Sequence, residues 1–369
     1  MDFRDQSLDH FHTHGGINGP DYNSSKVLFI FLNIFTTLFK NSIQRYNKKN
    51  LHSHIICGSS YWCKSSLSQQ LTEERMIDRR LNASRHDLAD ARLRGCVEAE
   101  CFVEAQKAQV IVGRAALRPK PRLDVSIDTE LLYGEDVDVF ERQDGWAWVQ
   151  AHLDGYVGYI EAKFLSSALN EITHNVSTLR TFIYPEPDLK SPPHHLVTMN
   201  AKLSVTNKEI GGFRKLTEDG WVFEKHITID GSYDTDHCTV ALRFLGTPYL
   251  WGGRTSVGLD CSALVQMSLM RCGQYVPRDS DMQENSIGLE VACGHELTEL
   301  QRGDIVYWNG HCGIWINKDT FIHANATDMA VTMQPLKHIL GHIAEATNDC
   351  SPRVRRPKQQ SDYSDRRHF

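Results

Sequence analysis

The sequence predicts an α+β protein in which two small antiparallel β-barrels precede a domain whose central helix packs on an antiparallel sheet. Three observations carry this expectation. A plan of short alternating strands, broken by Pro and Asp-Gly turns, is told twice, over 116–165 and 181–227. An apolar helical run, SALVQMSLMRC from Ser262 to Cys272, follows the Gly-rich stretch WGGRTSVG. Further on, GDIVYWNGHCGIWIN and TFIHANA alternate apolar and polar positions as neighbouring strands do.

The bulk composition sets limits. The chain has 369 residues, 41% hydrophobic and 23% charged, enough for two or three domains of ordinary globular composition. A net charge of -6 leaves no wide basic field, so nucleic acid is not an expected partner. The ten cysteines are scattered without a CxxC pair, which suits a reducing compartment and offers no zinc spacing; no metal and no cofactor are expected. The apolar run Val27–Phe39 is far shorter than the roughly 20 residues a bilayer requires, so stable membrane insertion is not expected. Its length suits a signal-peptide core. Asp2, Asp5, Asp9 and Asp21 precede it, however, and no small-x-small site follows, so the cytoplasm is the expected location, with a periplasmic or cell-envelope site as the alternative.

In chain order, residues 1–75 lack sustained periodicity and are expected to be poorly ordered, or to lie upstream of a true start at Met76. Residues 76–104 form an expected helical lead-in, with an amphipathic helix from Leu81 to Leu93 begun near Asn82 or Ser84. The first barrel is assigned to 105–168 and the second to 175–229. Pro185-x-Pro187 answers Pro119-x-Pro121, LVTMNAKLSV answers LLYGEDVDVF, and Glu218-Asp-Gly-Trp221 answers Gln143-Asp-Gly-Trp146. Asp144-Gly145 and Asp219-Gly220 read as tight turns, and Trp146, Trp148 and Trp221 as barrel core. Both copies resemble bacterial SH3-like domains. A third domain spans 232–350, and 351–369 reads as a basic, flexible tail.

Cys261 stands in the first turn of the predicted helix, with Asp260 where an N-cap belongs and Gly273 at the far end. Partial positive charge and free N–H groups at a helix start lower a thiol pKa and leave donors for an oxyanion. His311 begins one downstream strand and His323 lies in the next, so adjacent strands can set the two imidazoles side by side. One imidazole would exchange protons with the thiol and the leaving amine; the other would hold its tautomer. By strand alternation Cys312 should point away from His311, into the core.

The segments Pro248-Tyr-Leu-Trp-Gly-Gly253, Asp260-Cys-Ser-Ala-Leu264, Arg302-Gly-Asp304, Gly310-His-Cys-Gly-Ile314 and Phe321-Ile-His-Ala324 follow the order and spacing of the NlpC/P60 cysteine peptidases. With the SH3-like units, the chain resembles the γ-D-glutamyl-L-diamino acid endopeptidases, or dipeptidyl-peptidase VI type, which act on peptidoglycan peptides. Ala263 and Cys312 depart from the family pattern.

The resemblance implies a papain-like fold with Cys261 as nucleophile, His311 as general base and acid, and His323 as its orienting partner. Tyr249 is implied near the oxyanion. Asp260 and Ser262, with Glu135 and Tyr156 from the first SH3-like unit, are implied to bind the free amine of an N-terminal L-Ala on a murein peptide substrate. One Asp260 oxygen would cap the helix while the other faces the cleft. Two rival functions use the same residues: a wall-binding protein with an idle peptidase domain, and a thiol amidase or acyltransferase.

Overall fold

Short alternating segments dominate the chain, and the computed structural model turns them into sheets. It describes residues 77–293, 297–346 and 352–358; the expectations for 1–75 fall outside these.

The lead-in is extended where a helix was expected. Strand β1 (Leu88–Asp90) pairs in parallel with β2 (Cys101–Val103), and only a single 3₁₀ turn, Ala91–Leu93, lies between. Tertiary contacts override helical propensity here. Ala83 and Leu88 pack against Phe140, Trp148 and Val157 of the first barrel, Arg85 reaches Glu141 at 2.7 Å, and Arg92 reaches Asp138 at 2.9 Å.

The first β unit comprises β3 (Gln106–Val110), β4 (Arg114–Leu117), β5 (Thr129–Leu132), β6 (Asp136–Gln143), β7 (Trp146–Ala151), β8 (Val157–Glu161) and β9 (Leu165–Ser166). Its sheet runs β8-β7-β6-β3-β9, with β4 and β5 paired beside it. Asp144 and Gly145, both at positive φ, turn β6 into β7, as the Asp-Gly signal requires.

The second unit comprises β10 (His174–Val176), β11 (Arg180–Tyr184), β12 (His195–Thr198), β13 (Lys202–Leu203), β14 (Val205–Ile210), β15 (Phe213–Leu216), β16 (Trp221–Phe223) and β17 (Ile227–Ile229), arranged as two antiparallel sheets. One of the equivalences expected from the sequence moves. In the first unit a 3₁₀ turn, Ala162–Phe164, follows β8; in the second its counterpart, Glu224–His226, follows β16. Asp219-Gly220-Trp221 therefore answers Asp154-Gly155-Tyr156, one hairpin later than the sequence match suggested, because the same dipeptide serves both turns. Trp148 and Trp221 are buried as expected, whereas Trp146 is half-exposed.

The third domain starts with α1 (His237–Arg243), the small hairpin β18 (Arg254–Thr255) and β19 (Gly258–Leu259), and then α2 (Cys261–Arg271), all eleven residues of which are buried. Helix α3 (Ser280–Ser286) and β20 (Leu289–Val291) lead to β21 (Ile305–Trp308), β22 (His311–Asn317), β23 (Thr320–Asn325), β24 (Ala330–Pro335) and α4 (Leu336–Ala346). The six-stranded sheet is ordered β20-β25-β21-β22-β23-β24. Its β25 (Arg353–Arg356) comes from the segment read as a flexible tail; Val354 is buried, and Arg356 pairs with buried Asp304 at 2.7 Å. A run of arginines resembles a solvated tail until its sheet partners are known. One face of the sheet, with Tyr307, Cys312, Ile314 and Ile322, packs on α2; the other, with Trp308, Trp315 and Phe321, packs on α4. No helix of the described residues is long and apolar enough to cross a membrane.

Candidate active site

Asp260 caps α2: its Oδ1 accepts from Ala263 N at 2.9 Å. The N–H groups of Cys261 and Ser262 precede the first intrahelical bond and remain available to an anion. At the other end Gly273 adopts φ 77°, and Gln274 N closes on Leu269 O at 2.9 Å. Cys261 is thus fixed by local signals that the sequence displays.

The register Ile314↔Ile322 places His311 diagonal to His323 on adjacent strands, and His311 Nε2 lies 2.8 Å from His323 Nδ1. The indole of Trp308 stacks on His311 with ring planes 22° apart, and Phe321 meets His323 edge-on. Behind them Asn325, whose amide is held by Asp328 and Thr332, comes within 3.4 Å of His323 Nε2. The Cys261 thiol is held well below its usual range chiefly by the neighbouring Cys312 thiol and then by His311, which outweigh the cost of burial. Cys312 moves the opposite way, raised by its own burial and by the thiolate beside it. Alternation does turn Cys312 away from His311. As expected, the thiol is buried in the core, in the same cluster as Cys261 at the start of α2.

The cleft containing Cys261 has a volume of about 250 Å³ and is formed by both domains. Tyr249, Asp260 and Ser262 line it beside Cys261, with Tyr156 contributed by the first β unit. Burial and the nearby Cys261 raise the Tyr249 hydroxyl pKa. Gly252, in the turn between Tyr249 and β18, has φ 74°, and a Cβ there would meet Ile127 O at 2.3 Å; its N–H donates to Asp260 Oδ2 at 2.9 Å.

Three of the residues implied to bind the amine, Asp260, Ser262 and Glu135, have partners within the protein. Both Asp260 oxygens are occupied from within: Oδ1 by Ala263 N, Ser262 Oγ and Arg278 Nη1, Oδ2 by Gly252 N and Arg278 Nη2. The Ser262 hydroxyl also accepts from Arg278, at 2.8 Å. These groups brace the start of α2 around a fully buried guanidinium; the Asp260 oxygens are filled, and the Ser262 hydroxyl keeps one acceptor position. Glu135 is neither a solvated turn residue nor a cleft residue. It is 2% exposed and pairs with Arg254 at 2.7 Å, while Arg254 N donates to Glu130 Oε2 at 2.9 Å, locking the first β unit to the peptidase domain.

The cleft holds further acidic groups beside Asp260. Asp128, just before β5, and Asp279, the N-cap residue of α3, converge with Tyr156, whose hydroxyl donates to Asp279 Oδ2 at 3.1 Å. Burial and the charge of Asp279 push Asp128 up to about 6. Burial likewise raises Asp279. Among the described residues, no donor reaches the Asp128 carboxylate or Oδ1 of Asp279. Nothing local distinguishes either aspartate from a turn residue, so sequence reading passed over both. The same described residues contain no cluster able to hold a metal ion.

Known proteins resemble this chain in sequence and in fold. Residues 246–343 match the NlpC/P60 family model, and 117–165 match that of the bacterial dipeptidyl-peptidase SH3 domain. A γ-D-glutamyl-L-lysine dipeptidyl-peptidase of Bacillus cereus is 25% identical over 250 residues, covering 59% of this chain and 73% of the relative. A probable endopeptidase NlpC homolog of Haemophilus influenzae is 30% identical over 149 residues, covering 39% and 77%. The crystal structure of an NlpC/P60 family protein from Bacillus cereus superposes with a TM-score of 0.56 at 22% identity, covering 68% of this chain and 99% of that one, which shows the shared fold. With 39% of its sequence aligned at 30% identity to an NlpC homolog of which it covers 77%, and residues 246–343 matching the family model, the chain belongs to the NlpC/P60 family of cysteine-type hydrolases.

Proposed function

We propose that this protein hydrolyses the bond between γ-D-Glu and the diamino acid in murein peptides that begin with a free L-Ala. The observation that carries the reading is the pair Asp128 and Asp279, two carboxylates with unpartnered oxygens in the cleft of Cys261. A desolvated carboxylate pair favours a cation, and an N-terminal ammonium supplies one. In this reading Tyr156 keeps its implied place beside the amine, and Asp128 and Asp279 supply the carboxylates first sought in Glu135 and Asp260. We also read residues 175–229 as a second SH3-like barrel, because in both units a 3₁₀ turn precedes the last strand.

In this reading the Cys261 thiolate attacks the γ-carbonyl carbon of D-Glu, and the N–H groups at the start of α2 hold the resulting oxyanion. His311 gives its proton to the departing α-amine of the diamino acid as the C–N bond breaks, leaving a thioester. Water then attacks the thioester, His311 takes its proton, and L-Ala-D-Glu leaves as Cys261 regains the thiolate. His323 keeps the His311 ring aligned throughout.

The test is product analysis by mass spectrometry with L-Ala-γ-D-Glu-L-Lys and its N-acetyl counterpart. The expected products are L-Ala-D-Glu and Lys from the free peptide, with little from the acetylated one and none with Cys261→Ala. Cleavage of another bond, or equal rates on both peptides, overturns the proposal.

A further inference from the structure

We propose that Arg80 is a specificity-determining residue that closes the cleft behind the substrate's N-terminus and so excludes N-acylated peptides. This rests on the reading above, since it concerns the same ammonium corner. Arg80 lies outside both segments that match family models, on the lead-in expected to be helical. Its guanidinium lines the same cleft as Cys261, Tyr156, Asp128 and Asp279.

All five of its N–H donors are engaged by three carboxylates. Nε donates to Asp78 at 3.1 Å. Nη2 donates to Asp78 Oδ2 at 2.8 Å and to Asp281 Oδ2 at 2.7 Å, and Nη1 to Asp279 Oδ2 at 2.8 Å and Asp281 Oδ1 at 3.1 Å. The backbone is held as firmly: Val157 N donates to Arg80 O at 2.8 Å, Gln150 Nε2 to Leu81 O at 2.8 Å, and Arg80 N to Asp78 Oδ1 at 2.9 Å. The fork thereby bridges the barrel side of the cleft and the Asp279–Asp281 side.

Charge and space then point the same way. Arg80 engages Asp281 with both Nη atoms and shares Asp279 Oδ2 with Tyr156, which leaves Asp279 Oδ1 and Asp128 for a single ammonium. A nitrogen bound to Asp279 at about 2.8 Å stands close to the guanidinium, so an acyl group on it runs into a planar cation. That cation cannot swing aside without stripping partners from three carboxylates.

The experiment compares kcat/KM on L-Ala-γ-D-Glu-L-Lys and on its N-acetyl form for the parent, Arg80→Ala, Arg80→Lys and Asp281→Asn. Asp281 is exposed, so its variant loosens the fork without disturbing the core even if Arg80→Ala fails to fold. The parent should prefer the free peptide by about a hundredfold, and Arg80→Ala should cut that preference at least tenfold, chiefly through a lower KM for the acetylated peptide. Asp281→Asn should move the same way, and Arg80→Lys should retain most of the preference. A discriminating parent whose folded variants keep its preference overturns this inference alone. A parent that treats both peptides alike, or cleaves neither, overturns the ammonium reading and this inference with it.

Discussion

His311 Nε2 stands 2.8 Å from Nδ1 of His323, across neighbouring strands and beneath the stacked ring of Trp308. An imidazole held on both sides cannot rotate out of line with the Cys261 sulfur. Replacing His323 by Ala should lower kcat by about a hundredfold with little change in KM, as expected for loss of an orienting partner rather than of binding. Asn at 323, which offers a polar atom of similar reach, should recover part of the loss. Steady-state kinetics on the free tripeptide measures both.

Asp128 sets a pH dependence. Its carboxyl is raised to about 6 in the folded protein, so it becomes charged and able to bind an ammonium only as pH rises through that value. KM for the free peptide should fall as pH goes from 5 to 7, and Asp128→Asn should flatten that profile. Stability runs the other way. A carboxyl whose folded pKa is raised stabilises the fold while protonated and loses that contribution as pH climbs from its unfolded value near 4 to 6. Asp128→Asn should therefore melt above the parent at pH 7, with the gap closing by pH 4.

Glu135 is expected to act on stability. It shares a buried ion pair with Arg254, and removing one partner leaves an uncompensated charge in the interior, at a cost of about 3–5 kcal/mol. Glu135→Ala should show this loss in denaturant unfolding, while any folded fraction keeps the parent KM. A selective rise in KM at full stability would return Glu135 to the substrate.

Cys312 is expected to tune the Cys261 thiol. The Cys312 thiol is the leading influence holding Cys261 below the ordinary thiol range, and valine has no thiol to replace it. In Cys312→Val the pH midpoint for alkylation of Cys261 by iodoacetamide should move upward, with His311 still in place to limit the shift. An unchanged midpoint would mean that His311 alone sets the thiol.

The sequence by itself determined what depends on near neighbours. Asp260, Cys261 and Gly273 mark the two ends of one helix, and strand alternation assigned Cys312 and His311 to opposite faces. The five segments in order then identified the third domain. Locality also explains the failures. Leu81–Leu93 has a helical pattern but lies extended because Ala83 and Leu88 find the barrel surface, and Arg353–Arg356 becomes a strand because the sheet offers it an edge. Only the tertiary structure could decide which carboxylates face the cleft. Arg80, Asp128, Tyr156 and Asp279 come from four separate segments, and Glu135 from the same barrel as Asp128 turns instead to Arg254. Burial and pairing depend on what the fold brings within a few ångströms, and no property of an isolated aspartate or glutamate carries that information.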